Sequence, residues 1–498
     1  MSAASISDLT AEKRRALLAR LLRGQAAKGL PLSFAQERHW FLQQLAPDSH
    51  DYNLSKAVRL TGRLKAPALE QTLSEINRRH EILRTTYAVV EGQPVQVISP
   101  AERLALQVVG LKDLTHAERE AKAERLATDE SWRSFSLSAG PVLRTTLLKL
   151  DEDEHVMLFT LHHIAGDGAS LGVLIRELTT LYQAYAGGEP SPLPELPIQY
   201  ADFAVWQRER LQGEVIQEHL AYWKRQLGGQ IPKLRLLTDR PSPVPQTRRG
   251  DSQFVYVGAG VIQALSALGR KEGATHFMTL MAAFQTLLHR YTGQDEITVG
   301  SPISNRHRVE TEPLIGCFIN TVALRADLSG NPTFRQLLQR VREVTLGAYA
   351  HQDLPFEKLV QELQPELRLS PMSLFQVWFG LDYAPAAVRQ TANLSGLKFS
   401  EVYAAAPAAQ FDLTLSMCKI GEEMIGYLSY DTDLLGVDTV GEIIEHFQTL
   451  LEEISINPDR GILDIPIAAP GQEDPTVFSG AVFSDCYAQD SEAEFLFY

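Results

Sequence analysis

The chain has 498 residues, 44% of them hydrophobic and 22% charged, which is more than one ordinary core organises and predicts two lobes of a soluble globular protein. Its formal charge of −14, from 61 acidic against 47 basic residues, argues against a nucleic-acid partner. No stretch approaches the roughly 18 apolar residues of a membrane span, and Met1 to Gln25 reads as a short amphipathic helix rather than a secretory signal, so a cytoplasmic location with no membrane partner is expected.

Helical spacing first appears over Ala68–Arg79, with Leu69, Leu73 and Ile76 on one face. Strands follow near Thr85–Val90, Pro94–Ile98, Val142–Leu150 and His155–Leu161. Ser170–Tyr185 is helical again, through Leu171, Leu174, Leu178 and Leu181. The Gly- and Pro-rich stretch Ala186–Pro197 predicts the connection between lobes. Helical stretches around Tyr200–Leu227 open the second lobe, the Pro-rich Asp239–Pro245 follows, and helices near Val261–Glu272 and Thr279–Tyr291 precede a strand at Ile297–Val299. These marks predict an N-terminal lobe over 1–185, a C-terminal lobe over 186–467 and an acidic, aromatic tail over 468–498. The tail reads either as a frayed end or as a docking segment over 471–498 that folds onto a partner. Cys317, Cys418 and Cys486 are far apart and form no CxxC pair, which fits a reducing compartment and argues against a disulfide framework or a zinc site.

The most informative segment runs from His155 to Gly168. An apolar strand delivers His162 and His163 to its end, a loop with Gly166, Asp167 and Gly168 follows, and a helix begins near Ser170. Side chains alternate along a strand, so the two histidines point to opposite faces and only one can address a given substrate. Four readings compete: core or turn residues, a metal site, a serine hydrolase, and acyl transfer assisted by one histidine. A metal site needs a third ligand, and the neighbouring sequence offers no convincing one. Gly168 to Gly172 matches the G-x-S-x-G nucleophile elbow around Ser170, but a longer loop separates this serine from the strand than that elbow allows.

His162-His163-Ile-Ala-Gly-Asp167-Gly168 resembles the HHxxxDG signature of the condensation domains of nonribosomal peptide synthesis, members of the chloramphenicol-acetyltransferase-like superfamily. Further motifs of the family stand in its order. Ser33 to Trp40 resembles SxAQxRxW, Arg79 to Thr85 resembles RHExLRT, and Tyr200 to Trp206 resembles YxDFAxW. Ile315 to Thr321 resembles IGxFVNT, and His351 to Glu357 resembles HQDxPFE. The departures are His39, where Leu or Met is usual, Ala169, where Trp is common, and a degraded RDxSxxPLFQ motif over Leu367–Gln376.

The resemblance implies an α+β fold of two chloramphenicol-acetyltransferase-like lobes in a V-shaped pseudo-dimer with a central tunnel. The implied reaction is attack by the amine of an acceptor aminoacyl thioester on a donor acyl thioester. Both are carried by phosphopantetheine arms of donor and acceptor carrier proteins, so the chain itself binds no cofactor. Ester formation, a free amine acceptor, or a non-catalytic recruitment role are the alternatives. The candidate catalytic residues are His163, His162, Asp167 and Gly168, with His163 orienting the amine and accepting its proton, and a Gly168 backbone N–H facing the oxyanion. Asp167 is expected to hold the loop through an ion pair, with Arg306 as first partner and Arg84 as second. Asn320 is expected to support the second lobe near the tunnel, and Phe203, Phe318 and Phe356 to be core.

Overall fold

The computed structural model describes residues 29–229, 231–236, 238–239, 249–363, 374–383, 393–394, 397–401 and 409–468. The N-terminal amphipathic segment, the tail over 471–498, most of the Pro-rich stretch and the start of the degraded motif lie outside the described residues.

The first half supplies β1 (Leu30–Pro31), α1 (Phe34–Leu45), β2 (Asn53–Thr61), α2 (Ala66–Arg79), β3 (Thr85–Val90), β4 (Gln93–Ile98), β5 (Gln107–Gly110), α3 (His116–Ser131), β6 (Leu143–Lys149), β7 (Glu154–His162) and α4 (Gly168–Gly187). Then come α5 (Tyr200–Arg210), α6 (Gly213–Leu227), β8 (Gly250–Val257), α7 (Ala259–Glu272), α8 (His276–Thr292), β9 (Glu296–Ile303), β10 (Asn320–Asp327), α9 (Phe334–Ala350), α10 (Phe356–Leu363) and β11 (Val377–Tyr383). The chain continues through β12 (Asn393–Leu394), β13 (Leu397–Glu401), β14 (Leu413–Ile420), β15 (Glu423–Asp431) and α11 (Val437–Ile456). This is an α+β fold with two lobes, each built on one six-stranded mixed sheet.

The first sheet runs β12-β13-β2-β7-β6-β5 and the second β10-β9-β11-β14-β15-β8. Strand β7 lies between β2 and β6, and every residue from His155 to His162 is buried. Cover on both faces explains why it reads as an unbroken apolar run rather than an alternating one. Helices start where the sequence supplies caps. Ser33 and Gln36 form a capping box at α1, and Asp167 caps α4 by accepting from the Ser170 N–H.

The halves are interlocked. Strand β13 pairs antiparallel with β2, from Lys398 opposite Thr61 to Glu401 opposite Val58, so a segment of the second half completes the first sheet. Leu196, Tyr200, Phe203, Leu314, Ile315 and Phe318 also pack in the first core, against α2, β7 and α4. Among the described residues no helix is long and apolar enough to cross a membrane.

Candidate active site

The end of β7 lies where the two halves meet. Asn53 opposite His162 is the last pair of the β2–β7 ladder, and the chain then turns through a short 3-10 helix at His163–Ala165. His162 is 1% exposed. Its Nδ1 accepts the Ile164 N–H at 3.0 Å, which leaves the proton on Nε2, and Nε2 donates to Gln43 Oε1 at 3.2 Å. Both nitrogens are therefore used internally. Burial, with smaller contributions from the charges of His163 and Arg144, pulls its pKa down to about 3.

His163 faces other neighbours. Its ring stacks on that of His39, with centroids 4.7 Å apart and planes at 16°. Its Nδ1 lies 3.7 Å from Cys317 Sγ. Burial lowers the His163 pKa, and the Asp167 carboxylate together with hydrogen bonds to the backbone of His163 and Gly166 opposes that shift only in part, so the neutral ring is favoured. His39 is itself buried, and its Nδ1 has no hydrogen-bond partner among the described residues. Burial likewise pushes the Cys317 thiol well up, reinforced by Asp167.

Four residues after His163, Asp167 is 2% exposed and fully engaged. Its Oδ1 accepts from Ser170 N at 2.8 Å, Ser170 Oγ at 2.7 Å and Arg306 Nη2 at 3.0 Å, and its Oδ2 accepts from Phe318 N at 3.0 Å. Arg306 also donates to the carbonyls of Thr311 at 2.8 Å and Leu314 at 2.7 Å. The loop carrying Gly316 and Cys317 is thus tied to the start of α4. A Cβ on Gly316 would sit 2.0 Å from the Tyr200 ring, so only glycine lets that loop approach. Tyr200 fixes it further by donating to the Cys317 carbonyl at 2.5 Å.

Ser170, the residue of the nucleophile-elbow match, is completely buried among Asp167, Arg306 and Gly316. Its hydroxyl is a structural bridge and cannot meet a substrate. Gly168 is the first residue of α4, and a Cβ built there would meet nothing within 4 Å. Arg84, the second candidate partner of Asp167, lies elsewhere: it donates to the Ser99 carbonyl and pairs with Glu81 at 3.5 Å. Its place at the 3-10 turn before β3 directs it along its own strand hairpin. Asn320 donates to the carbonyls of Gln352 and Leu354, both at 2.7 Å, and accepts the Phe356 N–H at 3.1 Å, which fixes the chain entering α10. Phe203, Phe318 and Phe356 are buried.

A second buried brace lies alongside. Glu177 of α4 receives Arg79 Nε and Nη2, each at 3.1 Å, and His80 Nε2 at 3.0 Å. His80 Nδ1 in turn accepts the Ile315 N–H at 3.3 Å, so the RHE motif supports the same loop. At the rim Arg38 of α1 reaches Glu357 of α10 at 3.4 Å. Sequence reasoning named neither His39 nor Cys317 as site residues. The signals present were a histidine where Leu or Met is usual and a cysteine at the variable position of the IGxFVNT motif.

Comparisons with known proteins identify the family. The family model described as Condensation domain matches residues 26–474. One of the linear gramicidin synthase subunits of Brevibacillus parabrevis is 47% identical over 465 residues, 93% of this chain and 9% of that protein. Another of them is 49% identical over 438 residues, 88% of this chain and 8% of that protein. The chain therefore spans less than a tenth of the length of these curated relatives. Among solved structures, the X-domain in its complex with OxyB from teicoplanin biosynthesis superposes with a TM-score of 0.79 at 29% identity, covering 89% of this chain and 96% of that one.

Proposed function

The chain belongs to the Condensation domain family, whose members form amide bonds between carrier-bound substrates, and from that premise we propose that it joins a donor acyl or peptidyl thioester to an acceptor aminoacyl thioester through His163. The observation that carries this reading is a neutral, half-buried imidazole held at the junction of the two halves, beside a helix start with open space over Gly168.

The thioester is already activated, so no covalent enzyme intermediate is needed. An α-amino group has a pKa of about 7.7–8.0, and an appreciable fraction is a free nucleophile near neutral pH. Holding both reactants in line supplies up to about 7–11 kcal/mol of barrier lowering. His163 orients the amine and accepts its proton as the tetrahedral intermediate forms or collapses. The space over Gly168 receives the thioester carbonyl, with the helix-start N–H groups facing the developing oxyanion. His162 positions the turn, because its nitrogens are occupied, and Asp167 with Arg306 holds the loop in place.

The partners in this reading are donor and acceptor carrier proteins, each inserting its phosphopantetheine arm from an opposite mouth of a tunnel between the lobes. The arms belong to the carriers, and the chain needs no cofactor of its own. The tail over 471–498 serves carrier docking. Deleting it should weaken binding to at least one carrier, and unchanged affinity for every carrier removes that role.

A recruitment role is the second reading, because the X-domain neighbour is bound to another protein, OxyB. Single-turnover transfer between loaded carriers, followed by intact mass, separates the two. Wild type should form product, and His163→Ala should slow it about 10²–10⁴-fold at an unchanged melting temperature. Carrier binding without any transfer by wild type replaces catalysis with recruitment.

A further inference from the structure

His39, His163 and Cys317 come from three distant segments, yet one nitrogen of each ring and the Cys317 sulfur all lie within 4.8 Å of one another. His162, whose two nitrogens are used internally, takes no part, and the fold instead brings His39 and Cys317 to His163 as the second and third ligands. Imidazole and thiolate together suit zinc-class cations, and three protein ligands with one open position is a common arrangement for zinc. With bond lengths of about 2.3 Å to sulfur and 2.0–2.1 Å to nitrogen, a tetrahedral site has an S···N edge of about 3.6 Å. The observed separation of Cys317 Sγ from His163 Nδ1 is 3.7 Å. His39 adds a buried Nδ1 without a partner, which is an unusual expense for a closed core.

We propose that His39, His163 and Cys317 form a site for a zinc-class divalent cation, and that filling it silences acyl transfer. Binding forms one M–S and two M–N bonds, with the thiol proton released to solvent. The two imidazoles are stacked in the free protein, so the His39 ring must turn about its Cβ–Cγ bond to aim its lone pair at the ion. Once Nδ1 of His163 is a ligand, the only ring proton sits on Nε2. That nitrogen is then a donor and can no longer accept a proton from an attacking amine. The metal site stands on geometry alone, whereas the silencing rests on the transfer role proposed above for His163.

The two parts are tested separately. Cobalt(II) titrated into the chelator-treated full chain, with no carrier present, should give one equivalent of tetrahedral d–d absorption and a thiolate charge-transfer band. Cys317→Ser should abolish the charge-transfer band. His39→Leu, which installs a residue usual at that position, should weaken cobalt binding by more than the about 10–100-fold that losing an outer-shell partner costs. Absence of the band in wild type, or its persistence in Cys317→Ser, overturns the site. In single-turnover assays zinc should stop wild-type transfer, a chelator should restore it, and His39→Leu should resist the same zinc concentration, each protein being compared with its own metal-free rate. Equal inhibition of both proteins overturns the silencing. A wild type that binds cobalt as described but never transfers leaves the site standing and removes the catalytic reading.

Discussion

Asp167 and His163 are four residues apart, and their surroundings are treated in opposite ways. Around Asp167 nearly every polar atom is used: the carboxylate accepts four hydrogen bonds, and Arg306 serves three carbonyls, a hydroxyl and the carboxylate, with only its Nε lacking a protein partner among the described residues. Around His163 the pairing is thinner: the ring has hydrogen bonds to the backbone of His163 itself and of Gly166, a stacked neighbour and a thiol at 3.7 Å, and the neighbouring His39 holds a buried nitrogen with no partner among the described residues. Buried polar groups are normally satisfied, so saturation marks architecture and its absence marks a place kept for chemistry. The signature motif therefore contains two devices. One fixes the loop between the halves, and the other is the one to which we assign the chemistry.

The comparison breaks most sharply at Arg306. Its side chain and that of Asp167 are 7% and 3% exposed, so removing the guanidinium strands a buried carboxylate. Arg306→Ala should lose about 3–5 kcal/mol in denaturant unfolding, with transfer lost as the loop detaches. A variant that stays as stable as wild type yet cannot transfer would move the guanidinium from architecture to chemistry.

The Glu177 brace gives the next, smaller effect, read as a pH dependence. Burial raises the Glu177 carboxyl, but hydrogen bonds from His80 and Arg79 outweigh it, and the pKa ends below the ordinary 4.5. A depressed carboxylate contributes stability that is complete above 4.5 and is lost as pH falls through the folded-state value. Wild type should thus weaken more steeply than Glu177→Gln between pH 5 and pH 3, by up to about 1.4 kcal/mol per unit. Parallel curves for the two proteins would mean that the brace does not hold a charged carboxylate.

How much of this was legible beforehand follows the same division. Helices with an apolar stripe were readable: Ala68–Arg79 is expected and Ala66–Arg79 is found, Ser170–Tyr185 is expected and Gly168–Gly187 is found. Helix α3 was not, because only Ala123 and Ser131 in it are buried and no stripe exists; its one local sign is the Thr115–Glu118 capping box. The crossing of β13 onto the first sheet has no local signature, since a strand carries no mark of which sheet it will join. At the site, the HHxxxDG motif and the charge of Arg306 stand in the sequence, and the structure sets Arg306 against Asp167. The remaining partners of Asp167 include the Phe318 backbone N–H, and main-chain donors are invisible in a string of side chains. His39 had meaning only as a departure and Cys317 only as the filling of a variable position, because their proximity to His163 is created when α1 and the loop before β10 pack against the end of β7.

The smallest effect sharpens the comparison at Gly168. Its backbone lies outside the left-handed region and a Cβ there would meet nothing within 4 Å, so nothing in the fold demands glycine. Gly168→Ala should leave stability unchanged or raise it by about 0.4–1 kcal/mol, by restricting the unfolded chain. If the space belongs to the thioester carbonyl, the same methyl should slow single-turnover transfer while the unfolding midpoint holds or rises. Transfer at the wild-type rate would show that substrate does not use that space, and the open region would then have to be sought over the His163 ring alone. A loss of stability would instead mean that the space closes in solution, and the helix start would join Asp167 on the saturated side of the motif.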